Sequence, residues 1–153
     1  MVIKFKVDVD TDVPPEKVLA ALTDFSAKRL KLWPQLSPKH FKAHSVGATS
    51  ADVTEGSDKP ISVWAREDYD WSTPGVVRWT AKESNFSLPG HAMEFRVQSQ
   101  GKGSHVTLLY DRGVYGLKGN VAGVMMKLFG KQVMTKYYND TFTSWQTDKD
   151  SAK

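Results

Sequence analysis

Two charged residues stand at strand spacing among apolar neighbours. In ISVWAREDYDW, residues 61–71, Val63, Ala65, Glu67 and Tyr69 alternate with Trp64, Arg66, Asp68 and Asp70. The first set is the more apolar, so it is expected to face the interior and to take Glu67 with it. A carboxyl group in an apolar pocket has its pKa raised by desolvation and can act as a general acid or base. Glu67 is therefore the candidate catalytic residue. The competing reading pairs it with an arginine such as Arg78 or Arg96, or leaves it at a wet rim. In SHVTLLYDRG, residues 104–113, Val106, Leu108, Tyr110 and Arg112 share one face. Arg112 is placed either to neutralise an acidic ligand group or to close a salt bridge at the end of the sheet.

Other chemistries find little support. The chain has no cysteine, hence no disulfide and no thiolate nucleophile. His40 and His44 would lie ~13 Å apart on a strand, and His91 and His105 flank loops without carboxylates at ligand spacing. No metal site is expected. No Gly-x-Ser-x-Gly, phosphate-loop or dinucleotide sequence calls for a nucleophilic serine or a cofactor. The excess of Lys and Arg over Asp and Glu, 21 against 17, is mild. Its densest cluster is only Lys28, Arg29 and Lys31, which argues against a nucleic-acid partner. MVIKFKVDVD alternates apolar and charged residues, unlike a signal peptide, and no apolar run reaches the ~20 residues that span a bilayer. A cytoplasmic protein is expected.

The elements that position these residues follow from periodicity. Ile3, Phe5, Val7 and Val9 alternate with charges and predict a strand covered on one side. DVPPEKVLAALTDF predicts a helix opened by Pro14 and Pro15, with Val18, Ala21, Leu22 and Phe25 buried. A second short helix is expected over Ser26–Trp33, before Pro34. HFKAHSV, ADVTEG, ISVWAREDYDW, GVVRWTAKES, HAMEFRVQS and SHVTLLYDRGVY then read as six strands. GSDKP, STPG, NFSLPG and QGKG supply hairpin turns between them. A long helix closes the chain, roughly Leu117 to Gln146. The pattern predicts an α+β fold, a curved antiparallel sheet wrapped around the carboxy-terminal helix. Residues 1–146 form one domain, and 147–153 a polar tail that frays.

On that helix Gly119, Gly123, Gly130, Met126, Met134, Val133 and Tyr137 fall on one stripe at 100° per residue. Each glycine costs about 1 kcal/mol relative to alanine. Either the backbone lies close against the sheet, or room is left for something else. Val121, Val124, Met125 and Leu128 lie opposite, so the first half is apolar nearly all round. It is then a core helix beneath loops, a cavity wall, or a membrane or partner contact.

DVPPEKVLAALTDF with the downstream KLWP, ADVTEGS, SVWAREDYDWSTPGVVRWTAKESN, GSHVTLLYDRG and the long closing helix together resemble the START-like, Bet v 1-like (SRPBCC) superfamily. Within it the likeness is to the polyketide cyclase/dehydrase and lipid-transport group. The resemblance implies a helix-grip fold, with seven strands gripping the long helix and two short helices closing one end. It also implies a hydrophobic cavity between sheet and helix. Members include lipid and steroid carriers, quinone-binding proteins, and polyketide cyclases or aromatases. No catalytic constellation is shared among them.

The expected partner is thus a hydrophobic small molecule (lipid, quinone, sterol or polyketide-like). The alternatives are a cyclase or dehydratase using Glu67, and a peripheral membrane or partner-binding module. Alternation and the helical stripe select the lining: Val63, Ala65, Glu67, Tyr69, Val77, Trp79 and Ala81, then Met93, Phe95, Val97, Leu108, Tyr110 and Arg112. The helix adds Met126, Gly130, Val133 and Tyr137.

Overall fold

The computed structural model describes residues 1–151, with side chains through Gln146. Chain order is β1 (Val2–Thr11), α1 (Pro15–Leu22), α2 (Arg29–Leu32), β2 (Lys42–Val46), β3 (Ser50–Ser57), β4 (Val63–Asp70), β5 (Val76–Ser84), β6 (Ala92–Gln100), β7 (Gly103–Gly113) and α3 (Gly116–Ser151). The strands form one seven-stranded sheet in the order β1-β7-β6-β5-β4-β3-β2, each pair antiparallel. β2 to β7 form a meander, as short turns require. β1 joins the far side of β7, pairing from Val2↔Gly113 to Thr11↔Ser104. Between β4 and β5 the register shifts at Arg66/Glu67, so Lys82 is an unmatched residue on β5. Bulges of this kind bend a sheet. The fold is the helix grip.

Two local boundaries differ from expectation. The second helix is one turn, Arg29–Leu32, rather than Ser26–Trp33. Ser26 donates from both its backbone N and its hydroxyl to Asp24 Oδ1, at 2.9 and 2.6 Å, and this Asx-type turn competes with helix before Lys28. Pro38–His40 forms a 3₁₀ turn capped by Ser37, whose Oγ accepts from Lys39 N, so β2 begins only at Lys42.

The inner face of the sheet carries the core. Val7, Val9, Val53, Val77, Phe95, Val106 and Leu108 are buried there, and Val18, Ala21 and Leu22 of α1 close one end. The outer face carries charge, with Arg66 making a bidentate pair to Asp52 at 2.7 and 2.8 Å. α3 lies closest along β1. Its glycines mark close approach. A Cβ on Gly119 would stand 2.7 Å from the carbonyl oxygen of Phe86, and one on Gly130 would stand 2.8 Å from the Phe5 ring. Farther along, Tyr138 meets Phe95 edge-on at 5.0 Å and Trp145 meets Trp33 at 5.2 Å, while Phe142 is fully buried. These aromatic contacts fasten the second half of α3 to the sheet and to α2.

α3 continues to Ser151, beyond the expected end at Gln146. Of the expected tail, Ala152 and Lys153 lie outside the described residues. A larger difference concerns its first half, which no loop among the described residues covers: Leu117, Val121, Val124, Met125, Leu128 and Phe129 are all exposed. The reading of a core helix beneath loops does not hold. Val133, expected on the inward stripe, is 52% exposed. It stands about 60° around the helix from Gly130, past the edge of the face that meets β1.

Gly119→Ala tests the close approach. Alanine favours helix by about 1 kcal/mol, yet its methyl must displace the Phe86 backbone. We expect the variant to lose about 1 kcal/mol or more in urea unfolding, while Asn120→Ala on the exposed side is neutral or stabilising. A more stable Gly119→Ala protein would contradict this placement.

Candidate functional site

Glu67 on β4 and Arg112 on β7 meet across the inner face of the sheet. Arg112 Nη1 donates to Glu67 Oε1 at 2.6 Å, with both side chains less than a tenth exposed. Three strand spacings separate their backbones, ~14 Å on a flat sheet. The curvature of the sheet and the length of both side chains close that distance. Ala81, directly opposite Glu67 on β5, offers no bulk to obstruct them. Burial raises the Glu67 carboxyl above its ordinary range, and the pull of Arg112 does not cancel it.

Arg112 is incompletely satisfied. Nη1 also reaches the Ser87 hydroxyl at 3.4 Å, Nη2 meets the Met93 thioether at 3.1 Å, and the Tyr110 phenol stands beside the guanidinium. Among the described residues its Nε is buried without a hydrogen-bond partner. Sulfur is a weak acceptor, so the guanidinium keeps donor capacity inside an apolar interior. The walls nearby are aromatic. Phe5 stacks on Tyr110 at 4.4 Å and Tyr69 on Trp79 at 5.2 Å.

A second buried pair lies deeper under the corner helices. Arg29 donates from Nε to Glu55 Oε2 at 2.7 Å and from Nη2 to Glu55 Oε1 at 3.0 Å. The Tyr69 hydroxyl donates to the same Oε1 at 2.6 Å. Arg29 Nη1 meets the carbonyls of Leu22 and Asp24 at 3.1 and 3.2 Å, and its guanidinium lies 4.3 Å from the centre of the Phe25 ring. A cation here answers the unpaired carbonyls at the end of α1. Burial and the adjacent Glu55 push the Tyr69 phenol well above its ordinary pKa. This group is saturated, and its work is to tie α1 and α2 to the sheet.

Neither Arg29 nor Glu55 was among the expected site residues. Glu55 follows Ala51 and Val53 at the same parity, a signal that marks it as inward. Arg29 gives no such signal, because it sits in the basic run with Lys28 and Lys31, both exposed. The arginines that the sequence offers as partners for Glu67 point elsewhere: Arg78 and Arg96 both meet Glu94 on the outer face.

Of the expected lining, Ala65, Tyr69, Val77, Trp79, Met93, Phe95, Val97, Leu108 and Tyr110 are buried on the inner face with Glu67 and Arg112. Val63, Met126 and Tyr137 are half-buried, and burial lifts the Tyr137 phenol to about 12. Gly130 rests on Phe5, and Val133 faces outward. A groove of about 560 Å³ runs between β1 and α3, and Met126 is the expected lining residue that borders it. A second, of about 470 Å³, lies between Val13, Leu32 and Trp145. Among the described residues no three His, Asp or Glu side chains gather as metal ligands. His105 is instead held by Asp10 and Asp8 at 2.6 and 3.0 Å.

Residues 2–140 match the family described as polyketide cyclase/dehydrase and lipid transport. The chain belongs to this family. Among curated proteins, none matches it by sequence. Solved structures similar to it include the Zhui aromatase/cyclase from a Streptomyces species, with TM-score 0.75, 12% identity, and coverage of 94% of this chain and 93% of that one. A START superfamily protein from Mycobacterium smegmatis gives TM-score 0.67 at 12% identity, covering 92% of both chains. The di-domain aromatase/cyclase StfQ of the steffimycin pathway gives 0.69 at 9% identity, over 94% of this chain and 49% of that one. At such identities the likeness is one of fold. The interior of this member of the polyketide cyclase/dehydrase and lipid-transport family holds two buried charge pairs, Arg112–Glu67 and Arg29–Glu55.

Arg112→Met leaves Glu67 buried and unpaired, and should cost about 3–5 kcal/mol in urea unfolding. Adding Glu67→Gln to the same chain should recover most of that loss. A cost below about 1 kcal/mol for the single change, or no recovery in the double, would show that the two groups are not coupled in the interior.

Proposed function

We propose that this chain binds a hydrophobic small molecule of lipid, quinone, sterol or polyketide type between the sheet and α3. The Arg112–Glu67 pair supplies the polar end of the site. The observation that carries this reading is the incomplete satisfaction of Arg112. A buried donor without a partner costs about 1–3 kcal/mol. A carbonyl, phenolate or carboxylate oxygen on an otherwise oily ligand removes that cost. Family membership and the aromatic inner wall support the same ligand class. Arg29 and Glu55 are already mutually satisfied and have less to offer a ligand.

A second reading, a cyclase- or dehydratase-type enzyme, is favoured by one feature. Glu67 is buried, its pKa is raised, and it lies against a cation. As the carboxylate, Glu67 can take a proton from a carbon beside a carbonyl, the electron pair of the C–H bond moving onto the carbonyl oxygen that Arg112 stabilises.

Organic extraction of the purified protein, followed by mass spectrometry, should recover an apolar compound bearing at least one acceptor oxygen. Arg112→Met protein should retain much less of it per mole of folded chain. Glu67→Gln separates the two readings. Under the binding reading the compound is retained, while under the enzymatic one it is retained and turnover falls by about 10²–10⁴-fold. Protein that yields no compound and takes up no added apolar ketone or phenol would overturn both.

A further inference from the structure

Among the described residues, seven of the twelve exposed large hydrophobic side chains lie on α3: Leu117, Val121, Val124, Met125, Leu128, Phe129 and Val133. Five of them, Leu117, Val121, Val124, Met125 and Leu128, draw a stripe opposite the face that carries Gly119, Gly123 and Gly130, with Phe129 and Val133 exposed to one side of it. From Leu117 to Leu128 it runs ~17 Å at 1.5 Å per residue. Lysines border it on both sides, Lys118 and Lys136 along one edge, Lys127 and Lys131 along the other. Gly116 to Asn139 contains no acidic residue. The first carboxylate is Asp140, and it already holds Lys136 at 2.6 Å. Among the described residues Lys118, Lys127 and Lys131 enter no ion pair.

The geometry points to a docking face for an anionic lipid bilayer, against which the first half of α3 lies flat. An apolar stripe with cationic borders suits the boundary between acyl chains and negatively charged headgroups. No helix among the described residues is long and apolar enough to cross a membrane, so the contact is interfacial. The groove between β1 and α3 adjoins the same face, with Lys4, Lys127 and Lys131 on its walls. A second copy of the chain fits less well. A two-fold contact through this stripe would set lysines against lysines, with no carboxylate on the stripe to answer them. The inference is independent of what occupies the interior.

Flotation of the full chain with vesicles tests it. Phosphatidylcholine vesicles containing phosphatidylglycerol should carry the protein at ~0.1 M salt, and vesicles of phosphatidylcholine alone should carry about tenfold less or none. Leu128→Glu with Phe129→Glu, and separately Lys127→Glu with Lys131→Glu, should each weaken binding by about tenfold or more. Both pairs lie on exposed positions, so circular dichroism should be unchanged. Arg96→Glu, on the outer face of the sheet, should bind as the parent does. Failure to float with anionic vesicles would overturn the proposal. So would equal flotation with both vesicle types. A dimer in solution that the Leu128→Glu, Phe129→Glu chain cannot form, without vesicle binding by the parent, would assign the face to a second copy.

Discussion

A charge taken from water into an apolar interior must be answered by another charge and by hydrogen bonds, or its desolvation outweighs the marginal stability of a domain. That constraint organises this molecule. Its inner sheet face, otherwise aliphatic and aromatic, holds two carboxylates and one arginine, and a second arginine reaches in from α2. The two pairs they form differ in kind. Arg29 and Glu55 bind at two points, with a tyrosine hydroxyl and helix carbonyls completing the set. Arg112 and Glu67 share a single short contact, and the rest of the guanidinium meets a thioether, a distant hydroxyl and the neighbouring Tyr110 phenol, with Nε left empty among the described residues. A saturated pair is architecture. An unsaturated pair can receive something.

The glycines of α3 allow the second consequence. With no Cβ at 119 and 130, the helix backbone settles onto Phe86 and Phe5 along the β1 side of the sheet. Its inner surface is thereby committed, and the apolar residues on the opposite side of the first half remain outside. The second half turns Tyr138 and Phe142 inward and carries a polar outer face. One continuous helix therefore has a buried, aromatic end beside the candidate site and an exposed, oily, cationic end.

Much of this was legible in the sequence. Period-two alternation marks the inner residues of β1, β5, β6 and β7, and turn residues mark the hairpins, because both signals are local. Order along the chain and the closing helix gave the grip. What stayed hidden depends on distant strands. Arg78 and Arg96 are nearer to Glu67 in sequence than Arg112 is, but each stands between two inward neighbours and so faces outward, while the curvature of the sheet brings Arg112 to Glu67. Arg29 was masked by exposed lysines on either side. Helical periodicity alone cannot tell an apolar face under loops from one in solvent, and Val133, at the margin of the stripe, went the wrong way for the same reason.

The most direct measurement of the central claim is the side-chain Nε–H signal of Arg112 in ¹⁵N-resolved NMR, followed while an apolar aromatic ketone is added. A ligand whose oxygen meets the spare donor should shift that signal and slow its exchange with solvent, and leave the Arg29 Nε–H nearly unmoved. An Arg112 signal that stays in place while the ketone binds would contradict the account.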